Sequence, residues 1–260
     1  MFSLYNLPTM LIFIIFIITI PVLALISFYI FQKLNITVKT CSDNHNGMIS
    51  IYISISTLFL AVMVSFLVIT VWNNYALASL NSQKEAQTIL LLYQNIYSLP
   101  DTENIQLLIQ KYLDYIINVE YPQLKNNDVN LFGAQILGEL QATLYNYKPQ
   151  DERQNTIYNN SVGLMNAILD LRVSRIHNGS LNYVIWLVAI FDSILIVIMT
   201  WLLNCKEIIH YLLVAFISIF IAASLFLIFV LSYPFRGQIG LTSQPFQDAL
   251  IATQNYQKKP

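Results

Sequence analysis

The apolar positions of this chain fall into four long blocks, and the polar ones gather mostly between the second and the third. The blocks run from Met10 to Phe31, Ile51 to Trp72, Leu181 to Leu203 and Ile208 to Leu231. Each is close to the roughly 20 residues with which an α-helix crosses about 30 Å of hydrocarbon. The pattern predicts four membrane spans. Pro21, inside the first block, suits a kinked membrane helix. A signal peptide would want a basic residue ahead of that block and a small-residue cleavage site after it, and this block has neither.

The segment between the second and third blocks, Asn73 to Ser180, reads as helical. Ile105, Leu108, Tyr112, Ile116 and Val119 recur at three- and four-residue steps behind Asp101, Thr102 and Glu103, which open a helix. Ala134, Leu137, Leu140, Leu144 and Tyr147 form a second such face. Ile157, Leu164, Ile168 and Leu171 form a third. Breaks fall at "SLPD" and at "KNNDVN", Lys125 to Asn130. No window alternates with period two. The fold class expected is all-α, an integral membrane protein with four transmembrane helices and a helical domain between spans 2 and 3. The expected divisions are 1–72 (spans 1 and 2), 73–180 (the helical domain), 181–231 (the hairpin of spans 3 and 4) and 232–260 (a C-terminal turn and helix).

Composition agrees with this class. Of 260 residues 56% are hydrophobic and only 10% charged, against about 25% charged in a soluble domain. There is no GxSxG, no P-loop and no GxGxxG. His45, His177 and His210 are too scattered for a metal site. The expectation is therefore a protein that is not an enzyme, with no catalytic residue, no cofactor and no metal, whose surroundings are the lipid bilayer and which has no nucleic-acid partner.

Two spans, an insert and two more spans put the insert and both termini on one side. Lys84, Arg172, Arg175, Arg236, Lys258 and Lys259 lie near the membrane on that side, against Lys33, Lys39 and Lys206 on the other. The positive-inside rule then makes the insert and both termini cytoplasmic. Cys41 and Cys205 fall on the external side, where disulfides persist. They are either a disulfide pair or two unrelated small residues, because sequence does not show whether their Cα atoms approach within about 7 Å.

Polar residues inside the spans carry the remaining candidates. Asp192 lies in mid-span in "LVAIFDSILIV", where a carboxylate costs about 2.5–3.5 kcal/mol on insertion scales and should face a bundle interior or water. It reads as part of an ion path, a relay or a gate, or as a hydrogen-bonded tie to Ser54, Thr57 or Ser65. Ser50, Ser54, Thr57, Ala61 and Ser65 share one face of the second span. Such a face serves close helix packing or lines a wet path.

After the last block comes "SYPFRGQIGLTSQPFQDAL". By chemistry alone Pro234 ends the helix, Phe235 caps its apolar end and Arg236 reaches headgroups or a carboxylate. Gly237 and Gly240 permit a turn, and Pro245 and Phe246 open a further helix. In order and spacing this stretch resembles the C-terminal signature of the bacterial bestrophin-like domain family, D-x-P-F-x-G followed by P-F-x-x-A-L. "VWNNYALASLNSQKEAQTILLLYQNIYSLP" is similar to the family's segment after the second span. "YLDYIINVEYPQL" resembles its Y-x(n)-E-W-P-x-L element, with Tyr121 in place of tryptophan, and "LRVSRI" its arginine pair. The likeness extends from roughly residue 50 to residue 252.

The resemblance implies kinship to the bestrophins, pentameric ion channels with a pore lined by the second span. Leu58, Val62 and Phe66 have the four-residue spacing of the apolar bestrophin neck, although any apolar helix offers such a set. Ser232 stands at the family's usual aspartate, and "RGQIGLTSQ" has no carboxylate, so a calcium clasp is not expected. The reading is a homo-oligomeric ion channel of the inner membrane, with inorganic ions and further copies of itself as partners. Its alternative is a non-conducting sensor or scaffold whose helical domain binds a ligand or partner. A proton-coupled transporter using Asp192 stands third, without a visible inverted repeat.

Overall fold

The computed structural model describes residue 5 and residues 7–34, 43–126, 132–177, 183–201 and 208–257. Among these the elements are helices: α1 (Thr9–Lys33), α2 (Asp43–Tyr97), α3 (Glu103–Tyr115), a π-turn (Ile116–Glu120), α4 (Tyr121–Asn126), α5 (Phe132–Tyr145), α6 (Glu152–His177), α7 (Tyr183–Trp201), α8 (Ile208–Leu231) and α9 (Gln244–Gln257). The all-α expectation holds for the described residues. Three helices, α1, α2 and α8, are long and apolar enough to cross a bilayer, while the apolar stretch of α7, Trp186–Trp201, is shorter. Leu181 and Leu203, the expected ends of the third block, lie outside the described residues, as do Cys41 and Cys205.

α2 does not stop where its apolar block stops. It continues for 55 residues to Tyr97, because no Gly or Pro interrupts it beyond Trp72 and because its later part has its own inward stripe. That stripe includes Ala78, Ser82, Glu85, Ile89, Leu92 and Ile96, all buried. The helix stops at Tyr97, and Pro100 disfavours helical geometry at Leu99. Asp101 then takes a positive φ of 55°, and the Thr102 carbonyl accepts the N–H groups of Ile105 and Gln106 to start α3.

The chain forms two compact units. The first comprises Met1–Asn73 and Ser180–Tyr233, the second Asn74–Gly179 and Pro234–Pro260. In the first unit α1 packs along α8. Tyr5 donates to the Phe229 carbonyl at 2.7 Å and stacks on the Phe229 ring at 4.3 Å, while Tyr211 donates to Gln32 at 2.7 Å. α7 joins them through Ala189 and Ile196, which pack with Ile221, Leu225 and Leu60.

In the second unit α3, α5, α6, α9 and the later part of α2 enclose one core. The face expected on α3 is buried at Ile105, Leu108, Tyr112 and Ile116 but not at Val119, which is exposed. The π-turn explains the difference. Its wide winding takes an extra residue, and Tyr121 N–H reaches back to the Ile116 carbonyl, so Glu120 takes the inward place. Pro122 follows at once, and a proline has no N–H to give the preceding turn. On α5 the inward residue is Gly133, and Ala134 is exposed. On α6 the fully inward stripe is Ser161, Met165, Ile168, Arg172 and Arg175, with Ile157, Leu164 and Leu171 only half-buried beside it.

Candidate functional site

Four charged side chains meet inside the second unit. Arg175, on α6, donates through Nε to Glu85 Oε2 at 2.6 Å and through Nη2 to Glu85 Oε1 at 3.2 Å. The same Nη2 also reaches Glu120 Oε1. Arg172, one turn earlier, donates to the other Glu120 oxygen at 2.7 Å. Tyr112 completes the Glu85 shell, donating to Oε1 at 2.9 Å. Two carboxylates and two guanidiniums make the group neutral, and every one of these side chains is buried.

The motifs at the end of the chain close this cluster. The Arg175 guanidinium lies 5.3 Å from the centre of the Phe246 ring and 5.6 Å from that of Tyr121, distances at which a ring attracts a cation. Phe235 and Phe246 each meet the Tyr121 ring at 5.7 Å. The turn between the two phenylalanines is shaped by its glycines. Gly237 has φ 72°. At Gly240 an added Cβ would come 2.8 Å from the backbone oxygens of Arg236 and Phe235. Leu241 N–H donates to the Pro234 carbonyl at 2.8 Å. Arg236 is itself buried rather than reaching out to headgroups. Gly133 seals another side, since a Cβ there would fall 2.6 Å from Glu120 Oε2 and 2.7 Å from Arg172 Nη2.

The electrostatics follow from this packing. Burial pushes the Glu120 carboxyl upward, but Arg175 and Arg172 outweigh it and hold its pKa below the ordinary glutamate value. Burial, with Glu85 beside it, raises the Tyr112 phenol well above its ordinary range, so it stays a hydrogen-bond donor. Burial works against the Arg175 charge, yet its two glutamates raise its pKa well above normal. With both carboxylates engaged by guanidiniums, the cluster joins α2, the π-turn and α6 and is closed to solvent. It is a keystone without a free nucleophile or base.

The residues singled out from sequence as an ion path lie in the first unit. Leu58, Val62 and Phe66 are 68%, 47% and 64% exposed within the single chain. Ser54 is also exposed, and donates to the Ser50 carbonyl at 2.8 Å. Thr57, Ala61 and Ser65 line a cavity of about 360 Å³ together with Ser193 and Ser224. Asp192 is half-buried on α7 outside that wall, and its Oδ2 is enclosed without a hydrogen-bond partner. Among the described residues no group of His, Cys, Asp and Glu could hold a metal ion.

Sequence reasoning used Arg172 and Arg175 for topology and missed the cluster. The signal was present in the spacing. Met165, Ile168, Arg172 and Arg175 advance by three, four and three, as one helix face does, and Ser82, Glu85 and Ile89 do the same on α2. A charge at an inward position of two different helices, with opposite signs, predicts a buried pair.

Compared with known proteins, the chain matches the family model of the Bestrophin-like domain over residues 18–246. It has no significant match among the curated proteins or the solved structures. The four segments that carry the resemblance contribute Glu85, Glu120, Arg172, Arg175, Phe235 and Phe246, the residues that build the cluster and its aromatic lid.

Proposed function

The chain belongs to the bestrophin-like family, and from that premise we propose that it is a homo-oligomeric ion channel of a cell inner membrane, multi-pass with four spans and cytoplasmic N- and C-termini. One observation supports assembly above the others. In the most apolar window of α2 only 6% of the residues are buried within the chain, against 22% for α1 and 39% for α8. The first unit thus packs three of its helices together and leaves the face of α2 bearing Leu58, Val62 and Phe66 uncovered. In the proposed ring that face meets its copies and the ion path.

The proposed orientation rests on the basic residues of the insert side. Arg172 and Arg175 are paired in the folded chain, but the positive-inside bias acts on Lys and Arg near the span ends during insertion, and acidic residues count little toward it. Reconstitution into liposomes with measurement of ion current, beside symmetry analysis of the detergent-solubilised particle, tests the proposal. A ring with an axial opening and a current supports it. A particle sealed along its axis that carries no current supports the sensor or scaffold instead.

A further inference from the structure

We infer that the first unit holds one acyl chain of a bilayer phospholipid in a groove between α1 and α7. The inference rests on the membrane placement of these helices and not on conduction. The two helices run side by side in one direction. Phe16 and Trp186 both meet the Phe229 ring, at 5.5 and 6.4 Å, and further along each helix Phe31 meets Trp201 at 5.3 Å. Between these aromatic ends lies a groove of about 560 Å³, walled by Ile20, Leu23 and Ser27 of α1 and by Ile190, Ile194 and Trp201 of α7.

The groove has the depth and the polarity of one leaflet. Ile20 and Ile190 lie near the middles of their helices. From Ile190 to Trp201 α7 rises about 16 Å, at roughly 1.5 Å per residue, and half of the hydrocarbon layer is about 15 Å. The outer end is thus the headgroup level, where tryptophan belongs. The walls give a polar guest no hydrogen. Ser27 has spent its own on the Ala24 carbonyl at 2.7 Å, and Ser193 on that of Ala189 at 2.6 Å; a hydroxyl has one to give. Polar groups gather only beyond this end, where Tyr211 donates to Gln32 at 2.7 Å and the exposed Lys33 closes α1. An apolar trough one leaflet deep, with a cation past its outer end, has the order of an acyl chain and its phosphate. Leu23 and Ile194 are 64% and 52% exposed, so the trough is open to a chain arriving from the bilayer. α2 lines a separate cavity and contributes no residue to this groove. A second copy that docks through α2 therefore leaves it to lipid.

Photo-crosslinking of the full-length protein in phosphatidylcholine vesicles tests the inference. The probe is a trace of phosphatidylcholine with a diazirine in mid-chain, and the labelled residues are mapped by mass spectrometry. Label should concentrate on Leu23, several-fold above Val22 and Ile26, which are exposed at the same depth of α1 but line no part of the groove. Ile194→Trp, a change at an exposed rim position, fills the groove and should bring Leu23 down to the level of those two. Equal labelling of all three in the wild type would mean that the bilayer only wets this face, and overturns the inference. Labelling of Leu23 that survives Ile194→Trp, at a wild-type melting temperature, overturns it as well. So does Leu23→Cys cross-linking one chain to another, which gives the groove to a second copy. A protein that holds the lipid and passes no current loses the channel reading alone.

Discussion

Arg175 holds Glu85 across 90 positions of sequence, with an Nε–Oε2 distance of 2.6 Å and no solvent exposure on either side chain. The pair joins the later part of α2 to the end of α6. Burying two full charges is costly unless both are paired and hydrogen-bonded. Here the geometry meets that condition through a two-point grip, which the planar guanidinium allows and an ammonium would not.

Removing one partner should therefore be severe. Arg175→Met takes the guanidinium from a fully buried Glu85 and should cost about 3–5 kcal/mol, as breaking other buried pairs does. Arg175→Lys should also destabilise, since a point charge cannot serve Glu85 and Glu120 from one plane. The melting temperature of the purified protein in detergent reports both. A wild-type melting temperature for Arg175→Met would show that the cluster contributes nothing to the fold.

Acid should loosen the same unit within a definite range. Glu120 has a folded pKa below its ordinary, unfolded value. Its ionised form is thus preferred in the folded state, and its stabilisation is fully present above the ordinary carboxylate pKa of about 4.3. That contribution is lost as pH falls through the depressed folded value. Stability between pH 7 and 5 should not change through this group and should decline below that. Glu120→Gln should start less stable and show a shallower acid limb. An equal acid limb in the variant, followed by melting temperature against pH, would assign the loss to other carboxylates.

The spacing of apolar residues made the helices legible, because burial on one face imposes a three-four period on any chain that folds this way. It did not reveal the exact inward row. On α3 a continuous period places Val119 inward, whereas the π-turn before Pro122 moves the row to Glu120. On α6 an apolar-only reading settled one position away from the row that contains Arg172 and Arg175. Charge hid these residues, since a reader assigns arginines to the surface unless a partner of opposite sign appears at a matching inward position on another helix. The phenylalanines of the C-terminal turn were legible as a motif, but their task, covering Arg175, depends on a contact with a residue about 70 positions away in sequence (Phe246 against Arg175), which no local pattern encodes.

The topology prediction concerns the insert. Lys148 is exposed in the segment that follows α5, so a cysteine there, on a background lacking Cys41 and Cys205, is accessible from whichever side the insert occupies. A membrane-impermeant maleimide should fail to label Lys148→Cys in intact cells and label it after the cells are opened. Labelling of intact cells would reverse the orientation and place Cys41 and Cys205 in the cytoplasm.

Calcium gives a separate test of the turn after α8. Its sequence lacks carboxylates from Ser232 to Gln244, and Ser232, at the family's aspartate position, spends its hydroxyl on the Ile228 carbonyl. A hard divalent cation wants six to eight oxygens, several of them carboxylate. Micromolar calcium should leave the reconstituted current unchanged. A steep rise in current that disappears on changing this turn would mean that ligands from another part of the assembly complete a site here.

Two glycines of one helix should respond to alanine in opposite directions. Gly133 and Gly138 both lie in α5, so both gain helix propensity, roughly 0.5–1 kcal/mol, when a Cβ is added. At Gly138 nothing lies within 4 Å of that Cβ, and the gain should appear whole as a small rise in melting temperature. At Gly133 the Cβ would stand 2.6 Å from Glu120 Oε2 and 2.7 Å from both Arg172 Nη2 and Tyr115 Cε1. These atoms cannot step aside freely, because Glu120 is tied to two arginines and each of those ties is buried. Overpacking of this kind costs about 1–3 kcal/mol, and here any shift of Glu120 also lengthens a charged hydrogen bond, so Gly133→Ala should lower the melting temperature despite its better propensity. The comparison is internal, since both changes have the same chemistry in the same helix. A rise for both would mean that the cluster yields easily and that Gly133 is not the close-packed wall the geometry describes.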